Sequence, residues 1–224
     1  MDELNSGLIA AAERGNVSDI EYFLKQGADA NAGDEVGRTA LMEACLSGNL
    51  SSVKLIIKSG AHVNHQSADG RFPLWEASYK GNIDIIKLLI KNHANVNLHD
   101  RENWYAVMWS SYFGDFDVTS ILVKTGAEIN TANSQGVTPL MLAAKNGNVN
   151  IVNLLINHGA HINDIDNSSW TALMFASSMG NEKSVISLLD AGADMSIKDV
   201  KNKTAFMLAE EKNYYGVMEI LKTY

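Results

Sequence analysis

The chain has 224 residues, 46% of them hydrophobic and 20% charged, with a formal net charge of −8. This is enough apolar chain for a sizeable core, and two prolines are too few for a collagen-like or disordered protein. The single cysteine, Cys45, excludes a disulfide framework and suits a reducing compartment. We expect no membrane span and no secretory signal, and the negative charge disfavours nucleic acid and anionic membranes as partners.

A four-residue string recurs along the chain at a constant step of 33 residues. Its copies begin at Thr39, Phe72, Tyr105, Thr138, Thr171 and Thr204. A Gly-Asn or Gly-Asp pair keeps the same step, and no insertion breaks the register. We therefore predict a single domain, 1–224, built from seven repeats: 1–33, 34–66, 67–99, 100–132, 133–165, 166–198 and 199–224. The polar first and last repeats are predicted to be caps.

Each repeat predicts two short helices and a link, as residues 133–165 illustrate. Thr138 is placed to cap a first helix that starts at Pro139, and Gly147 is placed to end it. A second, amphipathic helix begins near Val149 and ends before Gly159, and an extended hairpin link follows. Such a repeat is too small to bury its own apolar faces, so it is stable only when stacked on other repeats.

These features together resemble the ankyrin repeat. The 33-residue period, the turn Thr138-Pro139-Leu140, the Gly-Asn pair within each repeat and endings such as Gly192-Ala193-Asp194 all agree with that family. The resemblance implies an all-α fold, an ankyrin-repeat solenoid of stacked helix-turn-helix units with short β-hairpin loops. It also implies a non-enzymatic interaction module, without a cofactor, that binds a partner protein or an extended peptide in a concave groove.

The family resemblance further implies that hairpin tips and first helices face this groove. Aromatic and charged residues concentrate at those positions in the central repeats, and exposed Trp and Tyr are typical of binding hot spots. We therefore predict a protein-binding site formed by Glu43, Arg71, Trp75, Glu76, Tyr79, Trp104, Trp109, Tyr112, Phe113 and Trp170. The alternative is that Trp75 and Trp109 only fill space between neighbouring first helices.

Charged residues on the same side leave the chemistry of the partner open. An acidic strip favours a basic residue in the partner, with an aromatic ring beside it for a cation–π contact; it comprises Glu35, Glu43, Asp69, Glu76 and Glu102. Alternatively, Arg38 pairs with Glu43 and Arg71 pairs with Glu76. The placement of Trp104 and Trp109 is also similar to an aromatic cage for methyl-lysine in the ankyrin domains of certain histone methyltransferases.

Other site types find little support in the sequence. The histidine pairs His62/His65 and His158/His161 have no further ligand in register, so we expect no metal site. Ser, His and Asp residues lie in rows and do not converge as a catalytic site requires. We therefore expect no enzyme but a monomeric, cytoplasmic adaptor, scaffold or inhibitor. The alternative is a targeting or interaction subunit, or a fragment, of a larger enzyme or of a bacterial effector system that acts in the host cytosol.

Overall fold

The computed structural model describes residues 2–224 and divides the chain into two compact units, which meet in sequence at Ala106 and Val107. In the N-terminal unit, helices alternate with short links: α1 (Glu3–Glu13), α2 (Val17–Lys25), α3 (Ala40–Ser47), α4 (Leu50–Lys58), α5 (Pro73–Tyr79) and α6 (Ile83–Lys91). The division does not test the prediction of one domain over residues 1–224, which stays a prediction.

The C-terminal unit continues the same alternation from α7, whose first residue is Ala106. Its helices are α7 (Ala106–Phe113), α8 (Phe116–Lys124), α9 (Pro139–Lys145), α10 (Val149–Asn157), α11 (Ala172–Ser178), α12 (Glu182–Asp190), α13 (Ala205–Glu211) and α14 (Tyr215–Thr223). Each of the seven predicted repeats therefore holds one pair of helices. The prediction of a helix-turn-helix repeat is confirmed.

Local sequence explains where the first helix of a repeat starts and stops. The Thr138 hydroxyl accepts a hydrogen bond from the Met141 amide, and Pro139 occupies the first helical position, where no amide hydrogen is needed. Thr39, Thr171 and Thr204 cap α3, α11 and α13 in the same way. After α9, Gly147 takes a left-handed conformation with φ of 71°, which glycine adopts without a steric penalty.

The links between repeats are turns rather than extended strands. Within residues 2–224, pairing of the β type is limited to two isolated antiparallel bridges, between Gly33 and Thr39 and between His99 and Tyr105. The links are held instead by a side chain at the first position of the repeat. Asp166, for example, accepts hydrogen bonds at one carboxylate oxygen from the amides of Ser168 and Trp170, at 2.8 and 2.7 Å.

Packing within each unit places like helices side by side. In the N-terminal unit α3 packs between α1 and α5, and α4 packs between α2 and α6. In the C-terminal unit α11 packs between α9 and α13, and α12 packs between α10 and α14. Small or aliphatic residues fill the layers, and Cys45 is fully buried among them, where burial raises the pKa of its thiol.

Asparagine side chains join consecutive repeats by hydrogen bonds to the backbone. Asn31 donates to the carbonyl oxygen of Gly60 at 3.1 Å and accepts from the amide of His62 at 2.7 Å. Equivalent pairs of bonds are made, 33 residues apart or at multiples of that step, by Asn64, Asn130 and Asn163. These bonds satisfy backbone groups at the end of the next second helix, so they couple the first repeat to the second, the second to the third, the fourth to the fifth and the fifth to the sixth.

We expect Asn130→Ala to lower the free energy of unfolding by about 1 kcal/mol, because it removes two inter-repeat hydrogen bonds at a partly hydrated site. Urea unfolding followed by circular dichroism measures this change. Asn153→Ala is the matched control, since Asn153 is exposed on α10 and should cost less than about 0.5 kcal/mol. Equal effects of the two substitutions would contradict the coupling role.

Candidate functional site

The hairpin before α7 organises the aromatic residues of the N-terminal unit. One carboxylate oxygen of Asp100 accepts hydrogen bonds from the amides of Glu102 and Trp104, at 2.9 and 2.8 Å. The other accepts a hydrogen bond from the indole Nε1 of Trp75 at 3.2 Å. A single carboxylate thus fixes the turn that carries Trp104 and the orientation of the Trp75 ring.

Trp75 is the centre of a stacked group rather than an open surface residue. Its ring lies parallel to that of Tyr79, with centroids 5.4 Å apart, and the Arg71 guanidinium lies 4.7 Å from the Trp75 centroid. The exposed fraction is 4% for Trp75 and 40% for Tyr79. The expectation that Trp75 is exposed is therefore wrong, and its burial agrees with the space-filling alternative. Within this group, Tyr79 and Arg71 are the residues that a partner can reach.

Of the predicted acidic residues, Glu43 and Glu76 are buried, whereas Glu35, Asp69 and Glu102 are exposed. Glu43 is buried and lies 2.8 Å from Nη2 of Arg38, as the pairing alternative predicts. Arg71 has its closer partner in Asp69, at 2.9 Å, and not in Glu76, at 3.9 Å. The expectation that Glu43 and Glu76 are open to a basic partner residue is wrong, because Arg38, Arg71 and the packed first helices cover both carboxylates.

Glu76 is a buried carboxylate whose negative charge is only weakly compensated by neighbouring groups. Its side chain is 0% exposed, the nearest cations are Arg38 at 3.8 Å and Arg71 at 3.9 Å, and neither oxygen has a hydrogen-bond partner among residues 2–224. Burial raises the pKa of Glu76 to about 7, against the opposing effect of the two arginines. Glu43 and Asp69 reinforce the increase.

In the C-terminal unit, three aromatic residues of α7 form a contiguous patch, which we call the α7 aromatic patch. The Trp109 and Phe113 rings stack with centroids 5.9 Å apart, and Tyr112 meets Phe113 edge to face at 5.2 Å. Tyr112 and Phe113 are 39% and 49% exposed, whereas Trp109 is half-buried beneath them. An apolar surface of this kind gains stability when a partner covers it.

A second group in the same unit surrounds Trp170. Its indole Nε1 donates to Asp199 at 3.1 Å, and its ring meets Phe175 edge to face at 5.0 Å. These residues line an open groove of about 450 Å³ that also includes Val200 and Leu208. The sequence prediction contained Trp170 but omitted Phe175 and Val200. The repeat spacing could have identified Phe175, because it lies 66 residues after the predicted site residue Trp109 and 33 after Leu142.

The described residues of neither unit hold both tryptophans of the methyl-lysine cage or a cluster of metal ligands. Trp104 belongs to the N-terminal unit and Trp109 to the C-terminal unit, so the methyl-lysine cage stays an untested idea. Within residues 2–224 there is no group of three or more His, Cys, Asp or Glu side chains that could hold a metal ion. In the same range, no helix has the length and apolar character needed to cross a membrane.

The raised pKa of Glu76 predicts a specific pH dependence of stability. The folded state holds the Glu76 proton up to about pH 7, whereas the unfolded state releases it near its ordinary value of 4.5. Ionisation of Glu76 therefore costs stability as the pH rises through this window. We expect Glu76→Gln to raise the free energy of unfolding at pH 8 by about 1–3 kcal/mol, and to change it much less at pH 5.

Urea unfolding at both pH values measures the difference. Glu102→Gln removes the same charge from an exposed hairpin residue and should leave stability within about 0.5 kcal/mol at either pH. When the charge of Glu76 is removed, Arg38 is still paired with Glu43 and Arg71 with Asp69, so neither arginine is left without an ion-pair partner. A Glu76→Gln variant that is less stable at pH 8 would contradict this account.

Comparison with known proteins agrees with the repeat geometry. A family model described as ankyrin repeats (3 copies) matches residues 2–67, 52–133, 74–166 and 107–199. The crystal structure of the human ASB11 ankyrin repeat domain is similar, with a TM-score of 0.84 and 25% sequence identity, and the match covers 94% of this chain and 96% of that one. No curated protein sequence matches. The family model covers well over half of the sequence, and the chain belongs to the ankyrin repeat family.

Proposed function

We propose that this protein is a non-enzymatic interaction module, an adaptor, scaffold or inhibitor, that binds a partner protein or an extended peptide. Ankyrin repeats generally serve as protein–protein interaction modules, and the chain consists of such repeats over most of its length. The binding surface is the concave side that first helices and hairpin tips form within each unit. We also propose that the protein is a cytoplasmic monomer, which its one buried cysteine and its net charge of −8 support.

The observation that carries this proposal is the α7 aromatic patch. Tyr112 and Phe113 are large, adjacent and exposed. Phe113 stacks on Trp109 and Tyr112 meets both rings edge to face, and these contacts limit the rotamer freedom that the two residues lose on binding. Rigid aromatic side chains of this kind dominate the energy of many protein interfaces. The helices of the scaffold do not need them, since Lys145 and Asn146 occupy the same two repeat positions at the end of α9.

The N-terminal unit contributes a second accessible surface. Tyr79 and Arg71 each lie against the Trp75 ring and stay partly exposed, whereas Trp75, Glu43 and Glu76 are buried. A basic residue of the partner has exposed acids available at Glu35 and Glu102. We therefore retain a basic partner residue as a proposal for this unit alone.

Replacing both exposed rings of the α7 aromatic patch tests the proposal. We expect Tyr112→Ala combined with Phe113→Ala to reduce capture of partner proteins at least tenfold, since tenfold corresponds to only about 1.4 kcal/mol of binding energy. The measurement is affinity capture with the purified full chain from a lysate of the source cells, quantified by mass spectrometry.

The control variant is Tyr215→Ala, which removes an even more exposed tyrosine from α14, outside the proposed surface. Thermal melts of all three proteins check that the fold is intact. Capture that is unchanged by the double substitution, or a wild type that captures nothing above an unrelated protein, would refute the proposed role of the patch.

A further inference from the structure

The groove beside Trp170 is a pre-formed apolar site at one end of the C-terminal unit. It lies between the hairpin links that precede α11 and α13 and the helices themselves, and its volume is about 450 Å³. Trp170, Phe175, Val200 and Leu208 form its apolar wall. Val200 is 66% exposed at a hairpin tip, an unusual position for an aliphatic side chain that nothing in its own repeat covers.

The aromatic wall is held in place before any ligand arrives. The hydrogen bond from Trp170 to Asp199 fixes the indole, and the edge-to-face contact with Phe175 fixes the second ring against it. An apolar side chain could therefore enter without first ordering the residues that receive it. Pre-organisation of this kind removes much of the entropic cost of binding.

The acidic groups that line the groove already have donors within the protein. One oxygen of Asp199 accepts from the amides of Lys201 and Lys203, both at 2.8 Å, and the other accepts from Trp170. Although burial opposes it, these hydrogen bonds hold the pKa of Asp199 below its ordinary value. Glu211 is paired with the Lys203 ammonium group.

The cations around the groove are in the opposite situation. Lys201 and Lys212 line it and are exposed, and neither forms an ion pair with any of residues 2–224. Lys145 lies nearby with its ammonium group 5.8 Å from the centroid of Phe175. Three acids and three lysines line the groove, but Asp166 and Asp199 accept hydrogen bonds from backbone amides and Glu211 is paired with Lys203. The ammonium groups of Lys201 and Lys212 are therefore the charges at this groove that are accessible to a ligand carboxylate, in a chain whose net charge is −8.

We propose that this groove binds a segment of a partner protein in which an apolar side chain is flanked by aspartate or glutamate residues. The apolar side chain packs against Trp170 and Phe175, and the flanking carboxylates pair with Lys201 and Lys212. This inference rests on the proposed protein-binding function and adds the ligand chemistry of one part of its surface.

Selection from a random peptide library displayed on phage tests this chemistry and does not require the partner to be identified first. The full-length chain is compared with Lys201→Glu/Lys212→Glu and with a control, Lys183→Glu/Lys198→Glu, which changes charge equally at exposed lysines outside the groove. Val200→Asp adds a carboxylate to the apolar wall without altering a lysine. The most enriched peptide is then synthesised and its Kd measured by fluorescence anisotropy.

We expect the wild type to enrich peptides with an apolar residue next to acidic ones. We also expect the Kd of the chosen peptide to rise at least tenfold with either groove variant and less than twofold with the control. A pool without acidic enrichment, no enrichment at all, or a Kd that the groove variants leave unchanged would overturn the inference. So would self-association of the wild type, seen by sedimentation, that the groove variants abolish, since a second copy would then fill the groove. Partner capture that still depends on Tyr112 and Phe113 would leave the proposed function intact in each case.

Discussion

The structure depends on one constraint: a pair of helices within a 33-residue repeat cannot bury both of its apolar faces and must be covered by its neighbours. The helices of each unit therefore pack like against like, first helix on first helix and second on second. Because the repeats share one backbone geometry, Asn31, Asn64, Asn130 and Asn163 meet equivalent carbonyl and amide groups in the following repeat. Stability is built from these nearest-neighbour contacts rather than from a single central core.

This arrangement separates the residues that build the scaffold from those that can vary. Threonine caps, left-handed glycines and inter-repeat asparagines recur at fixed positions, whereas the first-helix and hairpin positions change in character along the chain. In the N-terminal unit these positions hold a network of charges around the buried Glu76, in which two arginines are shared among three acids. In the C-terminal unit they hold exposed aromatic rings and unpaired lysines. The two units thus offer a partner different chemistry.

Much of the fold could be predicted from the sequence because its determinants are local. Thr138, Pro139 and Gly147 mark the limits of α9 through short-range hydrogen bonding and backbone preferences, and the same marks recur in other repeats. Exposure was harder to predict. Trp75 is buried because Tyr79, Arg71 and the side chain of Asp100, 25 residues away, surround it, and no single repeat reveals this. The prediction of the site at Trp170 was incomplete for the same reason, since Asp199 and Val200 come from the following repeat.

The most direct test of the central claim is a comparison of two internal deletions by urea unfolding and circular dichroism. Deletion of residues 133–165 removes one whole repeat and joins equivalent positions, so the register of the asparagine bonds and helix layers is kept. We predict a helical protein that still unfolds cooperatively. Deletion of residues 133–148 removes the link, the first helix and its caps but leaves the second helix, and we predict loss of cooperative unfolding. Equal stability of the two variants, or collapse of the whole-repeat deletion, would contradict nearest-neighbour stacking as the source of the fold.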